Sequence, residues 1–218
     1  AIGGLFCFSL FISALFTRKF ILILLSALLL LLMGFQAWMG ALVVFSILSP
    51  FKITLHMLIA LAILCLLFFL HKISSNQKII ITNCSNQWLW FGLFISFSQI
   101  VLGTQVRESV DMLLPTIQRN QIINQLPIVF ELHRTIAWLI VISNSLILYY
   151  NRKFFSTEIE QKLIIFILLC LLISGIIMSY FSIIGLAQFV HLLGAISLFT
   201  CQFSMLLRRF HLPIVKSL

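Results

Sequence analysis

Three histidines carry the chemistry that this sequence can offer. His133 stands beside Arg134 near the start of an apolar run, within LPIVFELHRTIA (126–137). His56 and His191 lie at a similar distance from the starts of two other apolar runs. An ionisable side chain inside a membrane span is costly, and by default it marks a site. Two imidazoles on facing helices of a four-helix bundle can hold a haem iron from both sides. His133 and His191 form such a candidate pair, and His56 extends the same layer, so all three are candidate iron ligands. Arg107 and Arg134 stand at the ends of their runs, where a planar guanidinium can pair with a haem propionate. The plainer reading is that each histidine hydrogen-bonds a neighbouring helix and binds nothing.

The elements that position these residues are membrane spans. Of 218 residues, 62% are hydrophobic and only 9% charged, with a mean hydropathy of +1.19. A soluble domain carries about 25% charged residues, so the chain reads as an integral membrane protein. The net charge of +9 does not point to nucleic acid, because the basic residues sit in short loops between spans. Cys7, Cys65, Cys170 and Cys201 fall in apolar runs and Cys84 in a polar loop. None has the CxxC spacing of a zinc or iron–sulfur site, and packing is their simplest role. The sequence opens at Ala1 already inside an apolar run, which reads as a fragment whose upstream part is missing.

A span takes about 20 apolar residues. Candidates cover roughly 2–16, 20–48, 52–70, 88–106, 127–150, 162–180 and 184–207, giving seven spans. None alternates as a β-barrel strand does. Ten basic residues fall in the loops of one side: Arg18, Lys19, Lys72, Lys78, Arg152, Lys153, Lys162, Arg208, Arg209 and Lys216. The other side has four, Lys52, Arg107, Arg119 and Arg134, accompanied by Glu108, Asp111 and Glu131. The bias places the C-terminus in the cytoplasm and the three histidines near the outer surface. His71 falls at the inner interface beside Lys72, and His211 in a basic tail.

The chain also repeats. His56-Met-Leu-Ile-Ala60 matches His191-Leu-Leu-Gly-Ala195, and the interval from Gly40 to His56 equals that from Gly175 to His191. The fold expected is all-α, a polytopic membrane protein of two pseudo-symmetric four-helix bundles. Seven spans are present and an eighth is expected upstream. Residues 1–86 form the remainder of the N-terminal half and 87–218 the C-terminal half. The span equivalent to that of His133 is the shortened first one, so the partner of His56 falls before Ala1. Glu131, two residues before His133, either orients an imidazole or shuttles protons, or else is a solvated carboxylate favoured by the helix N-terminus.

The segments FQAWMGALVV (35–44), SPFKITLHMLIAL (49–61), VLGTQVRESVD (101–111), FELHRTIAW (130–138) and FVHLLGAISL (189–198) resemble the haem A synthase family, the CtaA-type assembly proteins of cytochrome oxidase. The resemblance runs from about residue 1 to 208, and GTQVRE and ELHR are its more specific parts. It implies oxidation of the C8 methyl of haem O to a formyl group, giving haem A. It also implies that His133 and His191 hold a haem b cofactor, while His56 contacts the substrate haem O in the N-terminal half. By the same resemblance a catalytic glutamate lies upstream of Ala1, so the catalytic residues are not among those present. The cysteine pair of many members' outer loops has no counterpart in 107–126. The setting implied is a bacterial cytoplasmic membrane, with haem O synthase and oxidase assembly factors as partners and no nucleic acid.

A bis-histidine haem is coordinatively closed and suits electron transfer. The competing reading is therefore a non-enzymatic bis-histidine membrane cytochrome. A transporter is disfavoured, since no Pro or clustered Gly breaks the spans near their middles.

Overall fold

The computed structural model describes residues 2–45, 50–75, 86–118, 121–152, 159–181 and 183–209, and the side chains of all these but 43–45, 50 and 51. Regular structure among these residues is entirely helical. Seven α-helices follow one another: α1 (Ile2–Thr17), α2 (Phe20–Phe45), α3 (Pro50–Ser74), α4 (Asn86–Leu113), α5 (Ile128–Asn151), α6 (Ile159–Tyr180) and α7 (Gly185–Leu207). A short 3-10 helix, Ile122–Gln125, lies between α4 and α5. His211 and Cys84, read from the sequence as tail and loop residues, lie outside the described residues.

Proline marks the helix boundaries. Pro50 is the first residue of α3 and Pro127 caps α5, positions where a missing N–H breaks no helical hydrogen bond. Six of the helices are long and apolar enough to cross a membrane. The first candidate span is shorter: α1 has 16 residues, about 24 Å at 1.5 Å each, against a hydrocarbon core of about 30 Å. Large apolar side chains such as Phe94, Phe166, Trp138 and Phe189 are exposed. With apolar residues on every face, these helices are built for lipid contact outside and packing inside.

The chain divides into two compact units, Ala1–Ile80 with Leu207–Leu218, and Ile81–Leu206. In the first, α2 packs against both α1 and α3 around Leu29, Met39, Ile59 and Ile63. In the second, α4 and α5 make the closest pair, and Leu89, Ile147, Ile164 and Leu198 form the centre. A smaller cluster of Val110, Ile122 and Ile183 lies at the end where the 3-10 helix packs.

One buried polar contact in the second unit sets the register of α5 against α7. Gln202 donates to Asn144 at 2.9 Å, and Asn144 donates in turn to the carbonyl of Ile140. Both side chains are fully buried, so a slip along either helix would strand amides in an apolar core, at a cost of about 1–3 kcal/mol each. Asn144 follows His133 by the same interval as Gln202 follows His191. That interval is close to three helical turns, so the contact fixes the two histidines at one level.

Candidate functional site

His133 sits in the second turn of α5 and His191 in the second turn of α7. Their ring centres are 6.2 Å apart, with the planes inclined at 60°. A metal–imidazole nitrogen bond is about 2 Å long. Two rings facing one ion across such bonds have centres roughly 6 Å apart, so the pair has the spacing of two axial ligands. His56, the third member of the expected layer, belongs to the first unit. Among the described residues no group of three or more His, Cys, Asp or Glu is arranged to hold a metal ion.

Each histidine faces a glycine on another helix. A methyl group added at Gly103 would lie 3.2 Å from Cε1 of His133, closer than packed carbons normally approach. At Gly175 it would lie 3.5 Å from Cε1 of His191, and at Gly40 3.5 Å from Cε1 of His56, both ordinary contacts. The shared spacing of Gly40 to His56 and of Gly175 to His191 thus corresponds to a physical contact.

The ring nitrogens differ in what engages them. Ser174 Oγ lies 2.7 Å from the Cys170 carbonyl, 3.1 Å from that of Leu171 and 3.0 Å from Nδ1 of His191. A hydroxyl has one proton. Given to a carbonyl, it leaves the oxygen to accept from Nδ1–H, and Nε2 then carries the lone pair. The Leu171 carbonyl bears on the same ring. This is how metal-bound histidines are commonly held, with the second nitrogen donating to an oxygen. Gln99 bears on His133 twice: its amide donates to the His133 carbonyl at 2.7 Å, and its backbone lies against the ring. Neither satisfies Nδ1 of His133, which is buried without a hydrogen-bond partner. In the first unit, the Gln36 amide nitrogen sits 3.1 Å from Nε2 of His56, and Nδ1 of His56 is buried and unpartnered.

The two arginines read as propionate partners are half-exposed, and each pairs with a carboxylate of its own helix. Arg107 pairs with Asp111 at 2.7 Å and donates to Gln188 on α7 at 2.7 Å. Arg134 pairs with Glu131 at 2.6 Å and lies over the Phe130 ring. Glu131 is thereby a solvated partner of Arg134 in the first turn of its helix, the plainer of its two readings.

Gln36, Gln99, Ser174 and Gln188 are not among the residues that the sequence singles out. A signal is present. The residue one turn before each ring-facing glycine (Gln36, Gln99 or Leu171) contacts the histidine that the glycine faces. Gln-x3-Gly therefore occurs twice, with the amide on the ring in one case and on the backbone carbonyl in the other.

The donor set fits a haem iron. It has a facing imidazole pair, one ring anchored through Nδ1, and a glycine that no Cβ could replace without movement. The profile of a family described as cytochrome oxidase assembly protein (COX15-CtaA) matches residues 1–203. No curated protein and no solved structure matches the chain.

Proposed function

Since the chain belongs to the cytochrome oxidase assembly family, we propose that it is a haem A synthase, an oxidoreductase that converts the C8 methyl of haem O to a formyl group. The observation that supports this most is the His133–His191 pair, 6.2 Å between ring centres, in a chain of that family. In this reading the pair holds haem b in the C-terminal half, residues 87–218. His56 is the contact for the substrate haem in the N-terminal half, residues 1–86. Haem b supplies one-electron redox chemistry when bound.

The overall change is balanced with water as the oxygen source. The methyl carbon exchanges two hydrogens for one oxygen, releasing four protons and four electrons, which an external electron acceptor takes up. The residues present bind and orient. Ser174 fixes the His191 ring with Nε2 bare, and Gln99 holds the His133 backbone. Arg107 and Arg134 stand ready to exchange Asp111 and Glu131 for propionates. We place the protein in a bacterial cytoplasmic membrane with its C-terminus inside, receiving haem O from its synthase and working with oxidase assembly factors.

A second reading has one observation in its favour. Nε2 of His56 is already engaged by Gln36, as it would be in a bis-histidine electron-transfer cytochrome with no substrate site there. Haem extracted from the purified full-length protein, with a reduced-minus-oxidised spectrum, separates the two. Haem b together with haem O or haem A is the expected result. Haem b alone, even when haem O is supplied, points to the cytochrome. No haem at all overturns both.

A further inference from the structure

Arg107 and Arg134 are held in different ways. The fork of Arg107 closes on Asp111, with Nε 2.9 Å from Oδ2 and Nη2 2.7 Å from Oδ1. Its remaining nitrogen, Nη1, donates to Oε1 of Gln188 on α7 at 2.7 Å. A guanidinium only donates, so the atom of Gln188 that faces it must be the amide oxygen. Every nitrogen of Arg107 is thus placed, and from two helices. Arg134 is placed through Nη2 by Glu131 of its own helix, beside its contact with the Phe130 ring.

The Arg107–Gln188 contact lies next to the histidine pair. Gly103 meets the His133 ring, and that ring faces His191. Gly103 of α4 and His191 of α7 are therefore at one level. Arg107 comes four residues after Gly103, and Gln188 three before His191. Each is one turn from the residue it accompanies and on the same face. Since Arg107 and Gln188 touch, both turns lie on the same side of the rings. The close backbone partner of α4 is α5, so this contact carries the guanidinium across to the helix of His191.

The two partners of Arg107 differ in what can replace them. Asp111 is a carboxylate, and a haem propionate is chemically its equal on the fork. Gln188 is neutral and bonds a different nitrogen, so its contact survives that exchange. Without it, the half-exposed guanidinium would be held only by the carboxylate of its own helix.

We propose that Gln188 is a positioning residue of the haem b site: it holds Arg107 across α4 and α7, one turn beyond the rings, so that a propionate meets a fixed cation. This role presupposes that His133 and His191 hold haem b, and it is the same in a synthase and in a cytochrome.

The test is titration of the full-length apoprotein with haem b and with its dimethyl ester, whose propionates carry no charge. The wild type is expected to bind the free acid about tenfold more tightly than the ester, the worth of a charge-assisted contact. Gln188→Met keeps the length of the side chain and removes the acceptor. It should lose most of that preference while its affinity for the ester hardly changes. A residue that only stiffened the bundle would weaken both haems alike. Gln188→Glu keeps an oxygen for Arg107 but adds a charge that repels a propionate. It too should lose the preference, with no fall in the unfolding temperature of the apoprotein, and it serves as the test if Gln188→Met does not fold. In an Arg107→Met background, Gln188→Met should cost no further preference, because it acts through Arg107. A preference kept in both Gln188 variants, absent from the wild type, or lost additively with Arg107→Met overturns the positioning role. A wild type that binds neither haem overturns the haem b reading beneath it.

Discussion

His56 and His191 occupy matching places in the two halves of the chain, each opposite a glycine at the same interval upstream, Gly40 and Gly175. Their rings are nevertheless held by opposite nitrogens. Ser174 takes Nδ1 of His191 and leaves Nε2 bare, whereas Gln36 takes Nε2 of His56 and leaves Nδ1 bare. One ring is set to ligate; the other must first shed a partner. On the proposed function this contrast separates a resident cofactor from a substrate that comes and goes. At these two matching positions the difference lies beside the imidazole rather than in the imidazole itself.

The most drastic way to break the comparison is to remove the rings. Alanine at His133 or His191 should abolish the low-spin haem spectrum, because each ring supplies one of two axial bonds. Alanine at His56 should leave that spectrum in place and stop haem A formation, measured by pigment extraction. A normal spectrum in both of the first two variants would sink the ligand assignment.

Exchanging the partners has a smaller effect. Ser174→Ala frees the His191 ring, and outer-shell partners of metal-bound histidines are typically worth about 10- to 100-fold in affinity or activity. Haem titration of the apoprotein should show a loss of that order. Gln36→Leu should act in the other direction at His56. With no amide on Nε2, the first unit should retain haem more tightly, by several-fold in off-rate. The two substitutions shifting haem retention in the same direction would mean that Gln36 supports ligation, and the contrast drawn between the halves would fail.

The helices are legible in the sequence because their signal is summed over a whole apolar run, with prolines falling at helix ends. The histidine pair is legible too, since an imidazole is costly in an apolar run unless a ligand or a hydrogen bond compensates it. Gln99 and Gln188 escape that reading because a glutamine near a span end is an unremarkable polar residue. Its role exists only once the chain places it beside a backbone carbonyl 34 residues away or a guanidinium 81 residues away. For Arg107 and Arg134 the types and depth are legible, but the carboxylates one turn away on their own helices are what engage them. The i,i+4 and i,i+3 spacing of those local pairs is enough to expect them.

The finest test of the comparison lies in the glycines. Gly→Ala in a helix is intrinsically favourable by about 1 kcal/mol, so any loss measures crowding against the ring. At Gly175 and Gly40 the new methyl would sit 3.5 Å from its histidine, an ordinary contact, and stability should rise slightly or hold. At Gly103 the gap is 3.2 Å, and the ring that must yield belongs to α5, which is pinned to α4 through the Gln99 amide. Overpacking of that kind costs about 1–3 kcal/mol, enough to cancel the helix gain or reverse it. Gly103→Ala should therefore lower the unfolding midpoint by a few degrees and disturb the haem spectrum, while Gly175→Ala does neither. Equal tolerance at both positions would show that the α4–α5 contact is as yielding as the α6–α7 contact, and that the close approach at Gly103 plays no part in placing His133.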